Sequence, residues 1–493
     1  MSFTSVCFFA FVLLAALAYY ICPKRGRWLV LLAASYIYYM AADPAIVLFL
    51  LFATVVTFLG GLLTEKGKKG VIPVCLLLSF GMLAVVKYTN FIIGNINFLT
   101  GSQIPLQELI LPLGISFYTF QAVGYLLDVR WKRCPAEHNF FRYMLFVSFF
   151  PQIMQGPIGR YASLALQLYE GHDFDFMAVR RGFLRILWGF FKKLVIADNA
   201  ALFVTPLFDQ YQSFGGYGLL AVLMYCAQLY ADFSGGIDIV IGIGEILGVR
   251  MDENFRQPFF AISITDFWHR WHITLGTWMK DYLFYPVSLS GWMGKFGKFC
   301  RKHFSKNIGR ALPICMANIL VFLVVGIWHG PEWHFILYGL YNGLIIGISG
   351  LLTKNFRQWK KKLHVTDKTP WFHVFQILRT FLLVNISWFL DRCDTVAQGW
   401  TMFVQSFTSF RFSMALDPAL APDATVERFL KVLLGCLIIF VVSLLREKEI
   451  DVRGAILKRP APVQILVFLL LIIGFVFLGY QGTVSGGFIY ANF

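Results

Sequence analysis

Charge is scarce in this sequence. Only 14% of its 493 residues are Asp, Glu, Lys or Arg, against roughly 25% in an ordinary soluble protein. That shortage argues against a soluble globule. Also missing are any CxxC pair and the HExxH motif, so the nine cysteines show neither zinc-like clustering nor a thiol-redox signature. Cys7, Cys75, Cys226 and Cys436 sit inside apolar runs, where cysteine behaves as a small buried hydrophobe. No compelling repeat, low-complexity tract or separate soluble domain interrupts the chain. What is abundant is hydrophobic: 58% of residues, gathered in uncharged runs of about 18 residues or more, long enough to cross a bilayer. The chain reads as an all-α polytopic membrane protein, a single integral membrane domain over 1–493.

The formal net charge of +16 does not call for nucleic acid, because no basic domain stands apart from the apolar runs. Basic residues fall in short blocks between those runs, the bias of cytoplasmic loops. Residues 3–22 have no basic segment ahead of them and no convincing cleavage site, which favours a retained first span over a cleaved signal peptide. Lys24, Arg25 and Arg27 behind them favour an outside N-terminus. Runs 28–42 and 45–63 turn at Asp43-Pro44. Residues 70–86 read as a span, whereas 91–100 are too short to cross alone. Pro112 and Gly114 predict a broken or kinked helix within 107–127. FFPQIMQGPIGR (149–160), with Gln152 and Gln155, reads as irregular backbone lining a cavity. Further apolar runs lie near 217–231, 312–328, 335–352, 372–389, 428–445 and 463–481. About eleven spans are expected, with partly inserted elements beside them.

Two basic stretches stand out. Residues 176–206 carry Arg181, Arg185, Lys192 and Lys193, and read either as an interfacial anchor to anionic lipid or as an attractor of a cytosolic anion. Residues 291–310 are dense in Lys and Arg with few acids, and read as cytoplasmic.

The chemistry concentrates in TDFWHRWHITLGTWMKD (265–281) and GIWHG (326–330). The first has no turn signal before Pro286 and predicts one helix entered near Thr265. At about 100° per residue, Asp266, Arg270, Thr274, Thr277 and Asp281 share one polar stripe. Trp268, Trp271, Leu275 and Trp278 share an apolar one, and His269 and His272 fall on the remaining face. Such a helix suits the wall of a polar cavity inside a membrane protein.

His329 ends an apolar run beside Trp328. An ionisable residue at membrane depth is costly and raises a functional hypothesis. Neutral imidazole is a usable general base near neutral pH, although a histidine satisfied at the end of a span fits the position equally well. His272 is a candidate second player, dividing proton abstraction from carbonyl polarisation. His269, beside Arg270, could simply face water. His269, His272 and His329 could offer three nitrogens to zinc, but no nearby carboxylate is placed as fourth ligand or base, so no metal site is assigned. The tryptophans, with Trp333, could line a passage for an acyl chain or form an interfacial belt. Asp232, Asp238 and Asp281 border apolar runs and call for partners, structural ion pairs included. On residues alone, an acyl-transfer enzyme and a transporter or flippase with Pro/Gly-broken helices stay comparable.

DFWHRWHITLGTWMKDYLFYPV, GIWHG and WHFILYGLYNG together resemble the membrane-bound O-acyltransferase superfamily. Within it they are most similar to the bacterial branch of alginate O-acetylation and teichoic-acid D-alanylation membrane proteins. LPLGISFYTFQ (111–121), FFPQIMQGPIGR, LYADFSGGIDIVIG (229–242), NFRQPF (254–259) and FIYANF (488–493) agree with the alginate type. The resemblance implies a fold of many spans, with re-entrant or interfacial helices, around a central funnel or tunnel. It implies His329 as the catalytic histidine and His272 as its second characteristic histidine. Trp328, Trp271, Trp278, Asp281, Asn342 and Gln155 are the candidate substrate-lining residues. It further implies acetyl-CoA as acyl donor with no bound cofactor, and a lipid-embedded, multi-pass location in a bacterial inner membrane. An extracytoplasmic acetyltransferase partner and a cell-surface polysaccharide as final acceptor complete the expectation.

Overall fold

A computed structural model describes residues 5–479 apart from 42 and 154. The FIYANF motif and the end of the last apolar run lie outside the described residues, and Met154 is missing from the 149–160 motif. Within that range the chain is helical, with one isolated antiparallel bridge, Phe255 to Trp271. Eight described helices are long and apolar enough to cross a membrane. Shorter helices, Val6–Ile21, Arg27–Met40 and Ile115–Arg130, lie beside them in the chain and fall under the length that a span requires.

Several expected boundaries shift. Residues 70–86 and 91–100 are one helix, Val71–Thr100, because Lys87 and Asn90 interrupt the apolar count without breaking the backbone. Pro112 and Gly114 do not kink a helix but precede one: Gly114 takes a left-handed conformation and Ile115–Arg130 starts after it. The 217–231 run and the following apolar segment join as Gly218–Ile246.

Internal contacts divide the chain into two compact units. The first comprises the described residues of Met1–Asp198, Leu229–Glu253 and Asp451–Phe493. Its core is aromatic: Tyr19, Tyr38, Tyr39, Tyr118, Tyr143 and Phe150 are almost wholly buried, and Tyr125 packs on Tyr143 with ring centres 4.6 Å apart. Burying such rings is the largest apolar contribution available per residue.

This unit also resolves the basic stretch at 176–206. Helix Phe176–Phe190 runs into a π-helical segment, Phe191–Ala197. Arg185, Lys192 and Lys193 are buried there rather than spread on a lipid surface. Lys193 Nζ lies 2.6 Å from Asp232 and 3.0 Å from Asp198. Lys192 Nζ reaches Asp238 at 2.6 Å and the Ser234 hydroxyl at 2.9 Å. Arg185 donates to Asp238 at 2.8 Å and, bidentately, to Glu253 at 2.7 and 2.5 Å. Neither lipid anchoring nor anion capture describes these three side chains. Removed from water, their charge is tolerable only when paired, and Asp232 and Asp238 are the pairs. Arg181, by contrast, is exposed.

The second unit comprises Asn199–Gln228 and Asn254–Ile450 and contains both signature histidines. Helices Lys306–His329 and Trp333–Leu351 form a tight antiparallel hairpin. Glycine sets its spacing. A Cβ on Gly339 would stand 2.2 Å from the Phe322 carbonyl oxygen, and one on Gly326 would stand 2.4 Å from that of Phe335. Small residues let helix backbones meet where apolar burial alone cannot drive association, and here they fix where His329 ends its helix.

Candidate active site

The histidine segment is not one helix. Ser263 caps Ile264–Arg270, accepting the Asp266 amide at 3.1 Å. The helix stops at Trp271 and restarts as Ile273–Met279, with His272 between them in a left-handed conformation, φ 47° and ψ 53°. A π-helical turn, Lys280–Phe284, follows. The cause lies at the start of NFRQPF, where Phe255 pairs with Trp271 in the antiparallel bridge before Gln257 turns the chain into a 3-10 helix, Pro258–Phe260. Arg256 donates its amide to the Arg270 carbonyl at 2.9 Å, and Ile273 donates to the Asn254 carbonyl at 3.0 Å. The Asn254 side-chain oxygen then accepts the Thr274 amide at 2.9 Å and its hydroxyl at 2.8 Å. Hydrophobic period reports which face a helix would bury, but not that a distant strand-like segment will claim its backbone donors. Non-glycine residues rarely adopt positive φ, and such strain, of order 1–3 kcal/mol, persists only where the surroundings impose it.

The break divides the expected apolar stripe: Trp268, Trp271 and Leu275 still line one cavity, and Trp278 does not. Trp271 is buried, stacked on Phe267 with ring centres 5.5 Å apart and set 5.9 Å from Trp388. Trp278 turns to Tyr282, 5.1 Å away. Trp268 donates its indole N–H to the Asn342 side-chain oxygen at 3.2 Å. The cavity, of about 370 Å³, is lined by Trp268, Trp271 and His272 together with Phe322, Val325 and Lys280.

His329, the last residue of its helix, is 4% exposed. Trp328 stands between the two histidines, with its ring centre 5.0 Å from His329 and 5.8 Å from His272. His272 is also buried. Burial, followed by the charge of His329, pushes its pKa down to about 3, so its ring is neutral at physiological pH. His329 Nδ1 lies 3.2 Å from Asp391 Oδ1. That is ion-pair range, although the angle falls outside hydrogen-bonding geometry. The other carboxylate oxygen accepts the Tyr225 hydroxyl at 2.8 Å.

Thus His272, Trp271, Trp328 and His329 come together in one unit. Trp278 and Asp281 lie further along the same segment, and neither is among the residues lining the cavity; Asp281 is half-buried in the π-helical turn. Asn342 is buried and engaged with Trp268 and, through its amide nitrogen, with the Tyr338 carbonyl at 3.0 Å. Gln155 is buried in the other unit, where neither polar atom of its side chain has a hydrogen-bond partner among the described residues. The described residues hold no group of three His, Cys, Asp or Glu side chains set to share a metal ion.

Sequence reasoning missed Asn254, Asp391 and Tyr225. Asp391 closes an apolar run beside Arg392, and its charge there was the available signal. Tyr225 carried none. His334, also overlooked, is held between the Leu390 carbonyl and Glu332, both at 2.7 Å.

Comparison with known proteins places the chain in a family. The model of MBOAT, the membrane-bound O-acyltransferase family, matches residues 132–390, a range that contains both histidines. The chain belongs to that family and is an O-acyltransferase of the multi-pass membrane type. It is 34% identical over 404 residues to the probable alginate O-acetylase AlgI of Pseudomonas aeruginosa, covering 79% of this chain and 71% of that protein. Identity to the peptidoglycan O-acetyltransferase of Helicobacter pylori is 32% over 348 residues, 65% of this chain and 61% of that one. The teichoic acid D-alanyltransferase of Bacillus subtilis is 30% identical over 291 residues, 58% and 70% of the two chains.

Proposed function

We propose that this enzyme takes an acetyl group from cytosolic acetyl-CoA and passes it across a bacterial cytoplasmic membrane for O-acetylation of an extracytoplasmic polysaccharide, through a partner transferase. His329 serves as general base or acyl relay, and His272 assists. The observation that carries this reading is the meeting of two buried histidines around Trp328, with His272 in the wall of a mainly apolar cavity. At about 370 Å³ the cavity is at the small end of ligand sites, roughly 300–1,000 Å³. It suits a slim acyl-thioester arm, leaving the nucleotide end of the donor outside. The exposed lysines and arginines of helix Gly291–His303 offer a surface for that anionic end.

In a direct transfer, the acceptor hydroxyl oxygen attacks the thioester carbonyl as His329 takes its proton. The proton then goes to the departing thiolate, leaving ester and free thiol. Neutral His272 can donate a hydrogen bond to the developing oxyanion. The alginate-type relatives favour acetyl and a polysaccharide acceptor.

The test uses membranes from bacteria that make the chain, incubated with radiolabelled acetyl-CoA. Label should enter polymer as base-labile ester, with release of CoA thiol. Label carried into the vesicles with its thioester intact would overturn the proposal in favour of transport.

A further inference from the structure

We infer that Asp391, backed by Tyr225, is the positioning residue for His329: it selects the imidazole tautomer that carries its proton on Nδ1 and makes Nε2 the basic nitrogen. The inference rests on the reading of His329 given above and adds a residue to it.

Asp391 is the penultimate residue of helix Pro370–Arg392, and its side chain is only 2% exposed. A carboxylate so far from water needs strong partners. The adjacent cation does not supply one, because Arg392 turns to Asp209 at 3.0 Å. What faces the carboxylate is a phenol and an imidazole. Tyr225 donates to Oδ2 at 2.8 Å, and Oδ1 has no hydrogen-bond partner among the described residues, with His329 Nδ1 3.2 Å away. An ionised carboxylate only accepts. It therefore favours the tautomer with its proton on Nδ1 and its basic lone pair on Nε2, and it stabilises the imidazolium formed when Nε2 takes the acceptor's proton.

The surroundings hold this arrangement in place. His334 binds the carbonyl of Leu390, immediately before Asp391, at 2.7 Å. Tyr225 is buried, with its ring edge-on to Trp388 at 6.5 Å and 6.0 Å from Phe208. At 3.2 Å the carboxylate–imidazole contact is longer than a charge-assisted hydrogen bond. Such contacts commonly tighten only when substrate is bound.

A purely structural Asp391 would tie its helix to the Lys306–His329 hairpin and nothing more. The two roles separate in kinetics. Maximal acetyl-transfer rate and apparent KM for acetyl-CoA are measured in native membranes for wild type, His329→Ala, Asp391→Asn, Asp391→Glu and Tyr225→Phe, each normalised to folded chain. Asp391→Asn should lower the maximal rate by about 100-fold or more with KM within about twofold, since an amide tolerates either tautomer. Asp391→Glu should recover at least about tenfold of that loss, and Tyr225→Phe should lose about three- to tenfold. Added to His329→Ala, Asp391→Asn should cost nothing more, because it acts through the missing ring.

Unchanged turnover in Asp391→Asn beside an inactive His329→Ala overturns the inference and leaves the His329 reading standing. Full activity in His329→Ala overturns the reading itself. If Asp391→Asn does not fold, Tyr225→Phe decides, because it keeps the ring packing: a wild-type rate there overturns the inference.

Discussion

The side-chain oxygen of Asn254 accepts both the amide and the hydroxyl of Thr274, at 2.9 and 2.8 Å. With the Asn254 carbonyl bound to the next amide upstream, that of Ile273, this residue makes three of the four hydrogen bonds, Arg256 making the other, that hold the break at His272. Asn254→Ala removes the acceptor that both Thr274 donors share, a loss of about 1–3 kcal/mol. It should lower the thermal midpoint in detergent and reduce turnover more than it raises KM. Wild-type turnover in a folded Asn254→Ala protein would detach the break from function.

The neutral His272 ring makes stability depend on acid. Its folded pKa, about 3, lies below the unfolded value near 6.5. The unfolded chain therefore binds the extra proton between those values. This residue's contribution is complete above pH 6.5 and is lost as pH falls towards 3, with a limiting slope of about 1.4 kcal/mol per pH unit. His272→Asn keeps a residue tolerant of positive φ and removes the titration. Its unfolding midpoint should fall less steeply with acid than that of wild type; parallel curves would rule out a buried neutral His272.

Glycine at the hairpin can be tested against glycine on the same helix. A methyl group on Gly339 meets the Phe322 carbonyl, whereas one on Gly350 meets nothing within 4 Å. Gly339→Ala should therefore cost about 1–3 kcal/mol through forced backbone separation and depress turnover by moving His329. Gly350→Ala should be neutral or slightly stabilising. Similar melting curves for the two variants would refute the close-approach argument.

In the first unit, Lys193→Met leaves Asp232, itself 1% exposed, without its closest cation. The expected loss is about 3–5 kcal/mol, read as a fall in detergent-stable yield and midpoint. Arg181→Met, at an exposed position, should change the midpoint by less than about 0.5 kcal/mol equivalent. A tolerated Lys193→Met would return the basic stretch to a lipid-facing role.

How much of this was legible in the sequence depended on whether the signal was local. Long apolar runs announced helices, and His329 stood out because a titratable group is expensive at the end of one. His272 was found by motif, but its backbone was misjudged. Period alone makes 265–281 a continuous helix, and the competing hydrogen bonds come from Asn254 and Arg256. Lys192 and Lys193 looked like surface charge because Asp232 and Asp238, their nearest carboxylates in space at 2.6 Å, lie some forty residues on, although Asp198, five residues from Lys193, also pairs with it. Asp391 and Tyr225 face each other across 166 residues, a pairing that no spacing rule reaches.

The role of His329 is read first from acetyl-CoA consumption by the purified chain, wild type beside His329→Ala, with chelator present. Wild type should release thiol, and the variant should lose about 10²–10⁴-fold of that rate, the range of a missing acid–base group, with both proteins equally folded. Equal rates in the two would contradict it.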